Sequence, residues 1–237
     1  IDVRIGGEEA KVEAARHATN VWQPDLVWCR ERGIDFLPVA FPGFSWHNLQ
    51  GGSAALDDIP RLQGRFFWSQ IAAAKLTGVD ADLIYGVLRQ ESLFRSDAAS
   101  SAGAFGLAQL TPATARETAR RWSLPAPNRA DLFDPKTSIT LGAARLRELE
   151  QRFGSELPVA LGAYNAGEAA VERWLPPRTL DSDVWIENIP YNETRAYVRR
   201  VLWHGLVYRW LETGQPQNTR AWLAKLAAAT LMLVTAE

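Results

Sequence analysis

One carboxylate in this chain stands where the surrounding pattern calls for an apolar residue. Leu83, Ile84, Val87 and Leu88 recur at three and four residues, and at about 100° per residue they form one stripe of a helix. Glu91 falls in the middle of that stripe, one turn beyond Val87. A carboxyl group on an apolar face is partly desolvated, which disfavours its charged form and raises its pKa. A general acid working near neutrality requires that property. The same periodicity fits a helix-terminal Glu that bends out to water, so the pattern by itself leaves both readings open.

Other polar groups cluster downstream. Ser100–Gln109 (SSAGAFGLAQ) is a loop of small residues leading into a helix start at Thr111 and Pro112, and such a loop lets backbone approach a ligand closely. Phosphate cradling is excluded, because neither the Walker pattern nor a strand followed by GxGxxG is present. Ala163–Gly167 (AYNAG) and Ile189–Arg195 (IPYNETR) place polar side chains at helix ends. Read singly, the first is a helix C-cap and the second an N-cap with first-turn charge. Asp97 lies near Glu91 in sequence and is either a second carboxylate for hydrolysis or a turn former in a polar loop.

The elements that must position these groups are helices. From Arg65 onward apolar residues recur at three and four, with no convincing two-residue alternation. Asp80 caps a helix running to about Ser92, and Thr111-Pro112 and Asp134-Pro135 are N-caps with proline at the first helical position. The Asp134 helix presents Ile139, Ala143, Leu146, Leu149 and Phe153 on one face until Gly154 stops it. Short helices over Leu157–Ala166 and Glu168–Leu175 part at Gly167. A last long helix spans about Glu193 to Glu212, with Val198, Val201, Leu202, Gly205 and Leu206 inward.

Composition bounds what such a helical part can serve. The chain has 237 residues, 26 Lys+Arg against 27 Asp+Glu and a formal net charge of -1. It is therefore an ordinary globular chain, without the basic excess that nucleic acid or an anionic membrane selects. No segment reaches the roughly 18 uninterrupted apolar residues of a membrane span. A single cysteine, Cys29, excludes an internal disulfide framework and a Cys-rich zinc site. Ten tryptophans stand out; Trp faces can stack on sugars, though most tryptophans fill core volume.

Taken together and in order, Glu91-Ser92, Gly103–Gln109 (GAFGLAQ), AYNAG and Ile189–Val198 (IPYNETRAYV) resemble the catalytic domain of the soluble lytic transglycosylases, over roughly residues 66–212. The resemblance implies a mainly α, goose-lysozyme-like catalytic domain and cleavage of the MurNAc-GlcNAc β-1,4 bond of peptidoglycan with a 1,6-anhydro-MurNAc end. It implies that Glu91 is the sole catalytic acid and base, and that Ser100, Gln109, Tyr164, Asn165 and Glu193 hold the saccharide or support Glu91. No metal and no cofactor are expected, the partners are peptidoglycan glycan strands rather than nucleic acid, and the place is the periplasm or cell envelope. This chain departs from the family pattern at Ala108, where methionine is usual, and at Thr111, where it is frequent. Loss of those side chains is expected to widen the cleft floor and weaken substrate affinity.

Residues 1–64 are expected to form a small α/β appendage to a catalytic domain over 65–237. A helix from about Glu8 to Arg32 precedes an apolar strand at Ile34–Phe41, and Gly43–Gly64 is turn-rich loop. Asp35–Leu49 with Ile59–Trp68 resembles a segment of the (β/α)-barrel glycoside hydrolases of families 71 and 99. A barrel closes with eight strands and this segment offers two at most, so no catalytic residue follows from that resemblance. Trp46 and His47 there are either sugar contacts or part of a loop. The competing function is a non-catalytic peptidoglycan-binding or envelope-assembly module, which has no need of an acid on an apolar face.

Overall fold

A computed structural model describes residues 59–154, 156–213, 217–218, 222–223 and 225–226. The predicted helix and strand before residue 43, with Trp46 and His47, lie outside the described residues. Contacts divide the chain into two compact units, one holding Ile1–Arg65 with Arg209–Asn218 and the other Phe66–Tyr208 with Thr219–Glu237. All that follows concerns the second unit, apart from the helix ends that run out of it.

The architecture is mainly helical, as expected for a lysozyme-like domain. In chain order it comprises α1 (Ile59–Thr77), α2 (Ala81–Ser92), α3 (Pro112–Arg121), a 3-10 turn at Ala130–Phe133, α4 (Pro135–Arg152), α5 (Leu157–Ala166), α6 (Glu168–Glu172), α7 (Ser182–Glu187) and α8 (Asn192–Thr213). Two short strands, β1 (Leu180–Asp181) and β2 (Lys225–Leu226), pair antiparallel with Leu180 opposite Leu226. Among the described residues no helix is long and apolar enough to cross a membrane.

Local chemistry explains where the helices begin. The Asp80 carboxylate accepts from the Asp82 amide at 3.0 Å, the Thr111 hydroxyl from the Thr114 amide at 3.2 Å and the Asp134 carboxylate from the Thr137 amide at 2.9 Å. Each satisfies an amide that the first turn leaves without an intrahelical partner. The predicted loop over Gly43–Gly64 is corrected at its end, since Ile59–Gly64 already belongs to α1. Pro60 is compatible with a first helical turn, and a helix tolerates one interior glycine at a modest entropic cost. The segment Ile59–Trp68, which resembled part of a barrel, is the first half of that helix.

α5 is the core helix. Its residues Leu157–Ala163 are all buried, which is why its sequence is apolar all round instead of on one face. Also buried in the core are Ile139, Leu146 and Leu149 of α4, Phe153 just after it, and Val198, Val201 and Leu202 of α8. Burying such side chains contributes roughly 1.5–3 kcal/mol each. A lattice of ion pairs then ties the outer helices. Arg145 bridges Glu148 and Glu168, while Arg152 bridges Glu168 and Glu172.

Candidate active site

A glycine brings the helix carrying Glu91 against its partner. A Cβ on Gly86 of α2 would lie 2.8 Å from the Val201 carbonyl and 3.1 Å from the Gly205 amide of α8. The two backbones therefore meet with no side chain between them. Five residues on along α2 comes Glu91, and four residues back from Val201 along α8 comes Tyr197. The Tyr197 hydroxyl donates to Glu91 Oε1 at 2.7 Å. Close helix approach thus decides which hydroxyl meets the carboxylate.

The environment of Glu91 makes it an acid of neutral range. Burial pushes its carboxyl up to about 7, the Tyr197 hydrogen bond pulls it down, and the negative charge of Glu193 adds a smaller push upward. The residue keeps partial exposure, as a group that meets a substrate must. Tyr197 itself is buried, and burial, followed by the negative charge of Glu91, raises its phenol well above the usual range. It therefore remains a neutral donor.

Beyond Ser92 the chain turns sharply, with Leu93 at φ 52 and Phe94 at φ 61, both left-handed and neither glycine. Such a residue costs about 1–2 kcal/mol. The Phe94 ring offsets this by packing edge-to-face on Tyr85, with centroids 5.8 Å apart. The loop that follows folds back on itself through bridges between Ala99 and Phe105 and between Phe105 and Leu110. At Gly106 (φ +74) a Cβ would fall 1.8 Å from the Leu132 carbonyl, so the loop lies flat on the turn before α4.

The polar residues singled out in the sequence hold this loop and its neighbours together. The Gln109 side-chain amide donates to the Gly106 carbonyl at 2.8 Å and the Ala98 carbonyl at 3.2 Å. Tyr164 Oη donates to the Ala108 carbonyl at 2.9 Å, and burial, followed by the negative charge of Glu91, raises its phenol well above the usual range. Asn165 Oδ1 accepts from the Thr194 hydroxyl at 2.7 Å, fastening the end of α5 to the first turn of α8. Glu193 is exposed on that turn. Electrostatics therefore couples Glu91, Tyr164 and Glu193. Ser100 is the outlier, for it is exposed and its hydroxyl accepts from the Ala104 amide at 3.1 Å.

Two sequence expectations change on this geometry. Ala108 does not line a cleft floor: it is 0% exposed, and a Cβ on Gly142 would come within 2.5 Å of its own Cβ. Its backbone is held on both sides, by Ser138 Oγ and by Tyr164 Oη. The space a methionine would occupy is closed by the approach of α4. Thr111 acts as a helix cap, a role methionine cannot fill. Asp97 resolves as a polar turn residue, with its side chain 78% exposed and paired to Arg95 at 3.4 Å. Tyr197 was missed as a site residue. Its signal was its place four residues after Glu193, one helical turn along the same face.

Comparison with known proteins falls on the segments of Glu91, Gly103–Gln109 and Ala163–Gly167. The family described as Transglycosylase SLT domain matches residues 69–179. The soluble lytic murein transglycosylase of Escherichia coli (strain K12) is 36% identical over 133 residues, which make up 55% of this chain and 21% of that relative. Membrane-bound lytic murein transglycosylase C of Haemophilus ducreyi (strain 35000HP) is 32% identical over 167 residues, 66% of this chain and 42% of the relative. An inactive Glu-to-Gln mutant of the lytic transglycosylase Slt from Pseudomonas aeruginosa has a solved structure that superposes with a TM-score of 0.64. The identity there is 32%, over 87% of this chain and 33% of that one. The chain thus spans less than half the length of the curated relatives named here.

Proposed function

From a chain that carries a transglycosylase SLT domain over residues 69–179, we propose a peptidoglycan lytic transglycosylase that cleaves the MurNAc-GlcNAc β-1,4 bond and leaves a 1,6-anhydro-MurNAc end. The observation that supports it most is the Glu91 carboxyl, held at about 7 and hydrogen-bonded to Tyr197. A carboxyl in that state is protonated before reaction and supported as an anion after it. The inactive Glu-to-Gln mutant of the Pseudomonas aeruginosa relative fits a mechanism that hangs on one carboxyl.

The chemistry runs in two proton transfers. Glu91 donates its proton to the glycosidic oxygen as the bond to C1 of MurNAc breaks, and the electron pair leaves with that oxygen. The charge left on Glu91 is met by the Tyr197 hydroxyl. The sugar's own C6 hydroxyl then attacks C1, and its proton passes to the Glu91 carboxylate, which restores the acid. No water enters. An internal nucleophile has the high effective concentration of an intramolecular reaction, so a second carboxylate is not needed to activate one. In this reading Gln109, Tyr164, Asn165 and Glu193 shape the walls that hold the sugar, and Ser100 binds at the loop edge. The substrate places the enzyme in the cell envelope.

A hydrolase reading has one observation in its favour, since Glu193 is a second carboxylate whose charge reaches Glu91, and most glycosidases use a carboxylate pair. Mass spectrometry of digested peptidoglycan separates the two. Products lighter by one water than the reducing muropeptides support the proposal, and reducing ends alone would replace it with hydrolysis.

A further inference from the structure

Beside the Asn165–Thr194 tie lies an aromatic pair that the chemistry above does not use. α6 carries the chain from Gly167 toward Trp174, and the segment after α7 leads to Tyr191, two residues before Glu193. The two rings meet edge-to-face, with centroids 4.8 Å apart and planes at 76°. Tyr191 is 51% exposed and Trp174 is partly exposed. In such a pair the ring that offers its edge keeps both faces clear of its partner.

The backbone that carries these rings is held by hydrogen bonds that leave the rings themselves out. Arg195 Nη1 donates to the carbonyls of Glu187 and Ile189 at 3.2 and 3.1 Å, and its Nη2 donates to Asn192 Oδ1. The Arg195 amide donates to the Tyr191 carbonyl at 2.9 Å. On the other side the Trp185 indole donates to the Trp174 carbonyl at 2.9 Å. The backbone on both sides of the pair is thus clamped before any ligand arrives. An exposed aromatic surface with little ordering left to lose is what stacking on a sugar requires.

We propose that Trp174 and Tyr191 form a saccharide-stacking platform that extends the cleft by one sugar beyond those meeting Glu91. It takes the apolar C–H face of a β-1,4-linked N-acetylhexosamine in a glycan strand. The occupant follows from continuity with the cleft: the Asn165–Thr194 tie and the Trp174–Tyr191 stack join the same two segments, and Glu193 lies between Tyr191 and Thr194 in the chain. In this proposal a strand that passes Glu193 continues onto the rings. The inference rests on the reading of that cleft as glycan-cleaving.

Calorimetric titration of the full chain carrying Glu91→Gln, with chitin oligosaccharides of three and six sugars, tests it without turnover. The hexamer binds more tightly than the trimer. Adding Tyr191→Ala weakens the hexamer by about three- to tenfold and leaves the trimer unchanged, whereas Tyr191→Phe keeps the parent values. Tyr191→Leu, apolar but not flat, gives the same loss and serves if the alanine variant does not fold. On active chain, Tyr191→Ala raises KM for long strands by more than it lowers kcat. Equal effects on trimer and hexamer, or none on either, overturn the platform, and so does an effect confined to peptide-bearing muropeptides, which makes the occupant a peptide. If the active chain cleaves peptidoglycan while Tyr191→Ala binds the hexamer as its parent does, only the platform falls. If the parent neither binds these sugars nor cleaves peptidoglycan, the reading of the cleft falls first and the platform with it.

Discussion

Burial of Glu91 acts on stability as well as on chemistry. Its carboxyl titrates near 7 in the folded chain against 4.5 for an ordinary glutamate. Between those values the folded state holds a proton that the unfolded state has released, so stability falls as pH rises through that window. The swing is about 3 kcal/mol at most. Glu91→Gln removes it, so that variant is more stable than its parent above pH 7 and converges with it below about 4.5; urea unfolding at the two ends of the range checks this. The same variant loses turnover by about 10²–10⁴-fold or more, because the amide has no proton for the leaving oxygen. Parent-like lysis by the glutamine variant would sink the assignment. In the active chain kcat/KM declines as pH passes about 7, where Glu91 loses its proton. Tyr197→Phe deletes the bond that pulls this carboxyl down, so the declining limb moves to higher pH by about one pH unit. A limb that stays in place in the pH–rate profile would show that Tyr197 does not support Glu91.

Among elements, the crossing of α2 and α8 sets the distance from Glu91 to Tyr197. Gly86→Ala puts a Cβ 2.8 Å from the Val201 carbonyl, and backbone cannot yield as a side chain can. The helices must part, costing about 1–3 kcal/mol and lengthening the Glu91–Tyr197 bond; a lowered Tm together with lowered kcat is the expected pair of results. The α4 approach makes the opposite case at Ala108. A methionine there was expected to rebuild a cleft floor, yet the position is closed by Gly142. Ala108→Met therefore lowers stability by about 1–3 kcal/mol with no gain in affinity for peptidoglycan, measured by thermal melting and a sedimentation assay. The helix starts at Asp80, Thr111 and Asp134 were legible in advance, because a cap bonds within its own first turn. Closeness of Gly86 to Val201 was not, because it depends on residues more than a hundred positions apart.

For the molecule as a whole, the boundary of the catalytic part is the matter to test. A chain shortened to begin at Ile59 keeps α1 whole, whereas one beginning at Arg65 removes residues 59–64 from it. The first is expected to melt cooperatively and to release anhydro-muropeptides, since every site residue lies beyond it, and the second to melt at a lower temperature. A folded but inactive product from Ile59 would mean that residues 1–58 complete the cleft. What the sequence by itself determined is the helical character, the capped starts of α2, α3 and α4, the inward face of α8 and the anomaly of Glu91, because each is written in residue types a few positions apart. Only the tertiary structure decided that Tyr197 is the partner of Glu91, that Ala108 is walled in by Gly142, that Asp97 stays out with Arg95 and that Trp174 and Tyr191 meet edge-to-face. All but the Asp97–Arg95 pair join segments distant in the chain, and even that short-range pair depends on which way the loop faces. Helix periodicity fixes a side chain's direction about its own axis but not which neighbouring helix it will meet.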